Sequence, residues 1–140
     1  MTYVLDTNVL SEVMKAEPDA AVMGWLRSCP AEAMFTTAIS RGEIVYGIRR
    51  LPDGIRRRRL ERAALTMFAE EFPGRVLPFD AEAADVYADL RLVRARLGQP
   101  LAAEDGMIAA IVRTHAATVV TRDTGGFARC GIAIIDPWGR

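Results

Sequence analysis

The sequence predicts an α/β domain with a mainly parallel central sheet. Two observations carry that expectation. Short runs rich in apolar and β-branched residues, at 3–5, 34–39, 76–78, 118–121 and 132–135, alternate with longer stretches whose apolar residues recur at helical spacing. The chain has 140 residues, 51% of them hydrophobic, and no linker, repeat or low-complexity tract divides it. That length suits one core burying about two thirds of the unfolded surface. A single domain over residues 1–140 is expected.

Taken in order, the first strand is the apolar run Tyr3-Val4-Leu5, which ends at Asp6, with Asn8 placed to cap the helix that follows. Asp19 caps a second helix containing Val22, Trp25 and Leu26, whose surplus apolar residues suit a partner surface. The strand 34–39 leads to Ser40, which caps a third helix with Ile44, Val45 and Ile48. Pro52-Asp53-Gly54 reads as a turn, and 55–72 as a helix with Leu60, Ala64, Leu65 and Phe68 on one face. After the strand 76–78, Asp80 caps a long helix through Val86, Leu90, Val93 and Leu97, stopped by Gly98 with Pro100 beyond. The helix 102–115 spaces Met107, Ile108, Ile111 and Val112 as core, not as a cofactor box, and leads to the strand 118–121.

Composition narrows the function classes. The 18 basic and 18 acidic residues cancel, so the molecule as a whole does not advertise nucleic-acid binding. Lys15 is the only lysine among those cations. A GC-rich coding bias explains the arginines as readily as selection for the planar fork that grips phosphate. The densest basic stretch, Arg56 to Arg59 with Arg49, Arg50 and Arg62 nearby, sprays around a helix axis and reads first as a solvated face, second as a phosphate or partner contact. Cys29 and Cys130 match no zinc or CxxC spacing and are expected as reduced structural thiols. His115, the only histidine, excludes an HExxH zinc site and any mechanism needing two imidazoles. Late in a helix, it suits the surface near the C-terminal dipole. No apolar run reaches the ~18 residues that cross a bilayer, and Asp6 comes too early for a secretory signal, so a cytoplasmic protein is expected.

Four acids, Asp6, Glu43, Asp105 and Asp123, recur where strands end or helices begin. In an open parallel sheet, ligands bind outside the carboxyl ends of the strands. Asp6 follows the first strand directly, Glu43 lies in the first turn of the helix after the second, and Asp123 follows the fourth by one residue. Asp105 begins the helix that feeds the fourth strand, and such a helix starts at the carboxyl rim. All four can share one edge. Two unit charges ~4 Å apart repel by about 4 kcal/mol at an effective dielectric of 20, so convergent carboxylates need a cation or must take up protons. Oxygen-only ligands favour Mg²⁺ or Mn²⁺ over zinc, and such an ion acidifies a water that can attack a phosphodiester in line. Asn8, Thr121 and Arg122 adjoin this edge as candidates to orient water or touch substrate, Arg122 by reaching a phosphate. Each acid also has a structural alternative: Asp6 as a cap, Glu43 in a capping box with Ser40, Asp105 complementing a helix N-terminus, Asp123 as a turn residue. Their shared placement favours a site.

In order and spacing, Val4-Leu5-Asp6-Thr7-Asn8, Ser40-Arg41-Gly42-Glu43, Glu104-Asp105-Gly106-Met107-Ile108-Ala109-Ala110 and Thr121-Arg122-Asp123-Thr124-Gly125 resemble the PIN-domain ribonucleases, specifically the VapC/FitB-type toxins of bacterial toxin–antitoxin modules. Ile135-Asp136-Pro137-Trp138 resembles the end of the FitB-like branch. The resemblance implies a three-layer α/β/α sandwich, a Mg²⁺- or Mn²⁺-dependent endoribonuclease, homodimerisation, and inhibition by a small DNA-binding antitoxin. It places metal binding on Asp6, Glu43, Asp105 and Asp123. Two departures stand out. Many relatives have Asn where Asp123 stands and a further acid a few residues later, where this chain has Gly126-Phe127, so the fourth ligand role rests on Asp123 itself. Glu104 replaces the small residue usual before the third motif's acid, and either adds a ligand or repels the substrate phosphate.

Two other function classes compete. A phosphoaspartyl protein, either a haloacid-dehalogenase-like phosphatase or a receiver domain, also places Asp at a strand exit. The phosphatase wants a second Asp where Asn8 stands, and both want a lysine at the site, for which only Lys15 is available. A binding module of the same fold without nuclease activity would keep the acids but hold no productive metal. A dinucleotide site fails for want of a GxGxxG after the first strand.

Overall fold

A computed structural model describes residues 1–139 of the chain. Strands β1 (Tyr3–Leu5), β2 (Met34–Thr37), β3 (Val76–Leu77), β4 (Thr118–Val120) and β5 (Ala133–Ile135) form one sheet in the order β3-β2-β1-β4-β5, and every pairing is parallel. The helices are α1 (Thr7–Val13), α2 (Ala20–Arg27), α3 (Ala38–Arg49), α4 (Ile55–Glu71), α5 (Ala81–Arg96) and α6 (Ala103–Thr114).

Successive strand residues point to opposite faces, and the sequence uses that period on both. Val4, Phe35, Leu77 and Val119 turn toward α5 and α6, meeting Ala83, Leu90, Ile108 and Ile111. Leu5, Met34 and Val120 turn the other way, under Val9, Val22, Ile44, Phe68 and Trp138. Two apolar cores back to back across one sheet make the expected α/β/α sandwich. From the central β1 the chain runs outward through β2 to β3, then returns through α5 and α6 to β4 and β5 on the other side. The order therefore reverses between β1 and β4, where a crevice opens at the strands' carboxyl ends.

Helix starts differ from expectation at two places. Thr37, not Ser40, caps α3: its hydroxyl accepts the Ser40 amide at 3.0 Å, which ends β2 early and draws Ala38 and Ile39 into the helix. Ser40 is buried inside α3, so no capping box joins it to Glu43, which lies in the second turn. Asp6, not Asn8, caps α1, accepting the Thr7 amide at 2.8 Å. Asp19 and Asp80 cap α2 and α5 as expected, and Gly98 ends α5 in the left-handed region at φ +69°.

Surface features follow the bland readings. Arg49 pairs with Glu61 at 2.6 Å and Arg58 with Asp53 at 3.2 Å, as expected of a solvated helical face. His115 is exposed at the C-terminal cap of α6, and Cys29 and Cys130 are both free thiols. Among the described residues, no helix is long and apolar enough to cross a membrane.

Candidate active site

At the switch point lies a cavity of about 490 Å³ whose walls include all four acids, Asp6, Glu43, Asp105 and Asp123. Asp6 leaves β1 with its amide donating to Val120 O at 3.0 Å, which ties it to the end of β4. Glu43 comes from α3, and Asp123 from the loop after β4. Asp105 sits in the first turn of α6, which runs antiparallel to β4 and so begins at the carboxyl rim.

Small polar side chains fasten these acids. Thr121, fully buried, donates its hydroxyl to Asp6 Oδ2 at 2.8 Å and accepts from Asn8 Nδ2 at 3.1 Å and the Asp123 amide at 3.0 Å. Asn8 Oδ1 in turn accepts the Arg122 amide at 3.3 Å. Asn8 and Thr121 thus brace the site from within it. Thr7 Oγ1 donates to Glu43 Oε1 at 2.7 Å and lies 3.0 Å from Ser40 Oγ, which links α1 to α3. Arg122 stacks its guanidinium 4.1 Å from the centre of the Trp138 ring at the cavity wall.

Burial and the neighbouring carboxylates act together on Asp6 and Asp105. Burial pushes the Asp6 carboxyl up, the bonds from Thr121 and the Thr7 amide oppose this, and the charges of Glu43 and Asp123 push it up again, leaving it raised. Burial first, then Asp6, Asp123, Glu43 and Glu104, push Asp105 up to about 6. Glu104 itself is exposed and off the cavity wall, so it acts on the site only through its charge. Among the described residues, no three acidic, histidine or cysteine side chains are gathered tightly enough to hold an ion by themselves. What the four carboxylates offer is oxygen alone, the donor chemistry that hard divalent cations take in preference to softer metals.

Gly126 explains one departure in the motif. Its amide donates to Asp123 Oδ1 at 3.0 Å, and a Cβ built on it would stand 2.8 Å from Asp123 Cγ. A side chain at 126 would push the Asp123 carboxylate out of this placement. The cavity also contains residues that sequence reasoning missed. Ser11, Glu12 and Lys15 line it with Asn8, at the spacing of one helix face, a polar stripe visible in retrospect. Glu12 is only 6% exposed; its oxygens accept Lys15 Nζ at 2.9 Å and the Asp19 amide at 2.9 Å, and those bonds hold its carboxyl below the usual range. None of Arg56 to Arg59 reaches this wall. Arg59 and Arg62 instead edge a second, mostly apolar groove of about 840 Å³ between α2 and α4, lined by Leu26, Leu60, Met67 and Phe72.

Comparison with known proteins follows the same lines. The family model for the PIN domain matches residues 3–132. The chain is 43% identical over 139 aligned residues to VapC ribonuclease Y4jK of Sinorhizobium fredii, covering 96% of each. It is 40% identical over 139 residues to toxin FitB of Neisseria gonorrhoeae, covering 96% of this chain and 97% of that one. Its fold superposes on the FitAB complex bound to a DNA fragment with a TM-score of 0.92 at 37% identity, covering 99% of this chain and 97% of the other.

Proposed function

The chain belongs to the PIN-domain family, and from that premise we propose that it is a Mg²⁺- or Mn²⁺-dependent endoribonuclease, the toxin of a type II toxin–antitoxin pair. The observation that carries the proposal is the convergence of Asp6, Glu43, Asp105 and Asp123 on one cavity at the sheet's switch point. A divalent ion bound there supplies charge neutralisation for the phosphoryl oxygens and an acidified water for in-line attack.

The chain's own residues do the rest. Asp6, raised chiefly by burial, and Asp105, pushed up to about 6, would be favoured in their charged forms by a bound cation. Thr121 and the Thr7 amide fix the Asp6 carboxylate so that it need not reorganise, and Thr7 does the same for Glu43. Arg122, exposed and stacked on Trp138, presents its guanidinium to a phosphate beside the scissile one.

Two protein partners fit the remaining surface. FitB relatives are solved as toxin–antitoxin complexes, and the apolar groove between α2 and α4, edged by Arg59 and Arg62, suits an amphipathic antitoxin segment. Leu92, Val93 and Leu97 are exposed on α5 and suit a second copy of the chain. A nuclease that cuts cellular RNA beside its antitoxin is expected to act in the cytoplasm.

The binding-module reading draws on one observation, that no three described carboxylates are gathered tightly enough to hold an ion by themselves. For the phosphoaspartyl reading the one available lysine is Lys15, which lines the cavity and pairs with Glu12, while Asn8 stands where the phosphatase wants a second Asp. Expression without antitoxin separates them. The wild type is expected to arrest growth and fragment cellular RNA, and Asp105→Asn to do neither. Equal toxicity of the two would overturn the nuclease assignment.

A further inference from the structure

Arg94 of α5 is the one buried cation among the described residues, 7% exposed, and none of their ion pairs includes it. Burying a guanidinium is costly unless its donors are met, and here backbone oxygens meet them. Nε donates to Gln99 O at 2.8 Å, and Nη1 to Ala128 O at 2.9 Å and Gly126 O at 3.3 Å, with Cys130 Sγ 3.9 Å away. Arg94 therefore joins two loops that are remote in sequence. One leads from α5 into α6 and Asp105; the other follows Asp123.

The Gly126 peptide is held from both sides. Its carbonyl accepts from Arg94, while its amide donates to Asp123 Oδ1 at 3.0 Å. In the same loop Arg129, at φ +59°, holds a left-handed conformation that is unfavourable for a residue with a Cβ, whereas Gly131 at φ +69° adopts that region freely. Gly126 also has no room for a side chain beside the Asp123 carboxylate. We propose that Arg94 is a positioning residue which, through the Gly126 peptide, sets the Asp123 carboxylate in the active-site cavity. The proposal rests on the nuclease reading of that cavity. A planar fork spans Gln99, Gly126 and Ala128 together, whereas a lysine ammonium, a compact point charge, holds the charge without the span.

The test uses the full chain with labelled nitrogen. Asp123→Asn, a change at an exposed position, is expected to shift the Gly126 amide resonance and, through it, the Arg94 side-chain resonances. Arg94→Lys is expected to move the Gly126 amide toward its Asp123→Asn position and to add no further shift when the two changes are combined. On RNA, Arg94→Lys is expected to lower kcat by about 10-fold or more with little change in KM, the scale seen when a partner of a metal-binding side chain is removed. An unmoved Gly126 amide in a folded Arg94→Lys protein overturns the proposal. If that variant does not fold, Arg94 resonances unmoved by Asp123→Asn overturn it instead. Absence of RNA cleavage by the wild type would defeat the nuclease reading, while the resonances still decide whether Arg94 and Asp123 are linked.

Discussion

At the residue scale, the site is held together by hydroxyls as much as by acids. The Thr121 hydroxyl makes three hydrogen bonds and is fully buried, so Thr121→Val leaves Asp6 Oδ2, Asn8 Nδ2 and the Asp123 amide short of a partner. We expect it to cost about 1–3 kcal/mol of stability, read from urea midpoints, and Thr121→Ser to cost much less. Asp105 supplies a pH signature. It titrates near 6 in the fold against roughly 3.9 in an unfolded chain. Between those values the native state keeps a proton that the unfolded state has lost, so this group's contribution falls as pH rises through the window and stays low above it. Glu12, held low by Lys15, acts with the opposite sign, so the diagnostic quantity is the difference between proteins. Without metal, Asp105→Asn should gain on the wild type in melting temperature as pH rises from about 4 to about 6. A constant difference contradicts this. The acids themselves were legible in the sequence because a carboxylate at a strand exit is costly unless used. Glu12, Lys15 and Trp138 were not, because nothing local says that α1 and the C-terminal end wall the same cavity.

At the element scale, strands and helices were legible because short continuous apolar runs, covered on both faces of a parallel sheet, alternate with longer stretches whose apolar residues recur at helical spacing. The helix starts were less so. Asp6 and Asn8, and likewise Thr37 and Ser40, are pairs of good capping residues two or three positions apart. The one nearer the sheet wins each time, since the strand's last hydrogen bond fixes where the chain turns. The consequence for α3 is testable. Thr37→Ala removes the cap on the Ser40 amide and should cost about 1 kcal/mol in urea unfolding. It should also weaken RNA cleavage, because Glu43 rides on that helix, whereas Ser40 substitutions should spare the helix start. Gly106 sets the other side. A Cβ there would come within 2.8 Å of Tyr87, so only glycine lets α6 lie close enough to α5 to present Asp105 as it does.

At the scale of the whole molecule, function follows from strand order. The reversal between β1 and β4 opens the crevice, and the crossover through α6 brings Asp105 back to the rim from which Asp6 and Asp123 depart. That order was only partly legible: alternation of elements predicts a parallel sheet, but which strand stands beside which depends on packing across the two cores. The most direct measurement is cleavage of single-stranded RNA by purified protein with Mn²⁺, comparing wild type with Asp6→Asn. Metal-dependent cutting by the wild type, at least about 10²-fold weaker in the variant and absent on chelation, is the predicted result. Intact RNA with the wild type, or equal cutting by both proteins, would contradict the account.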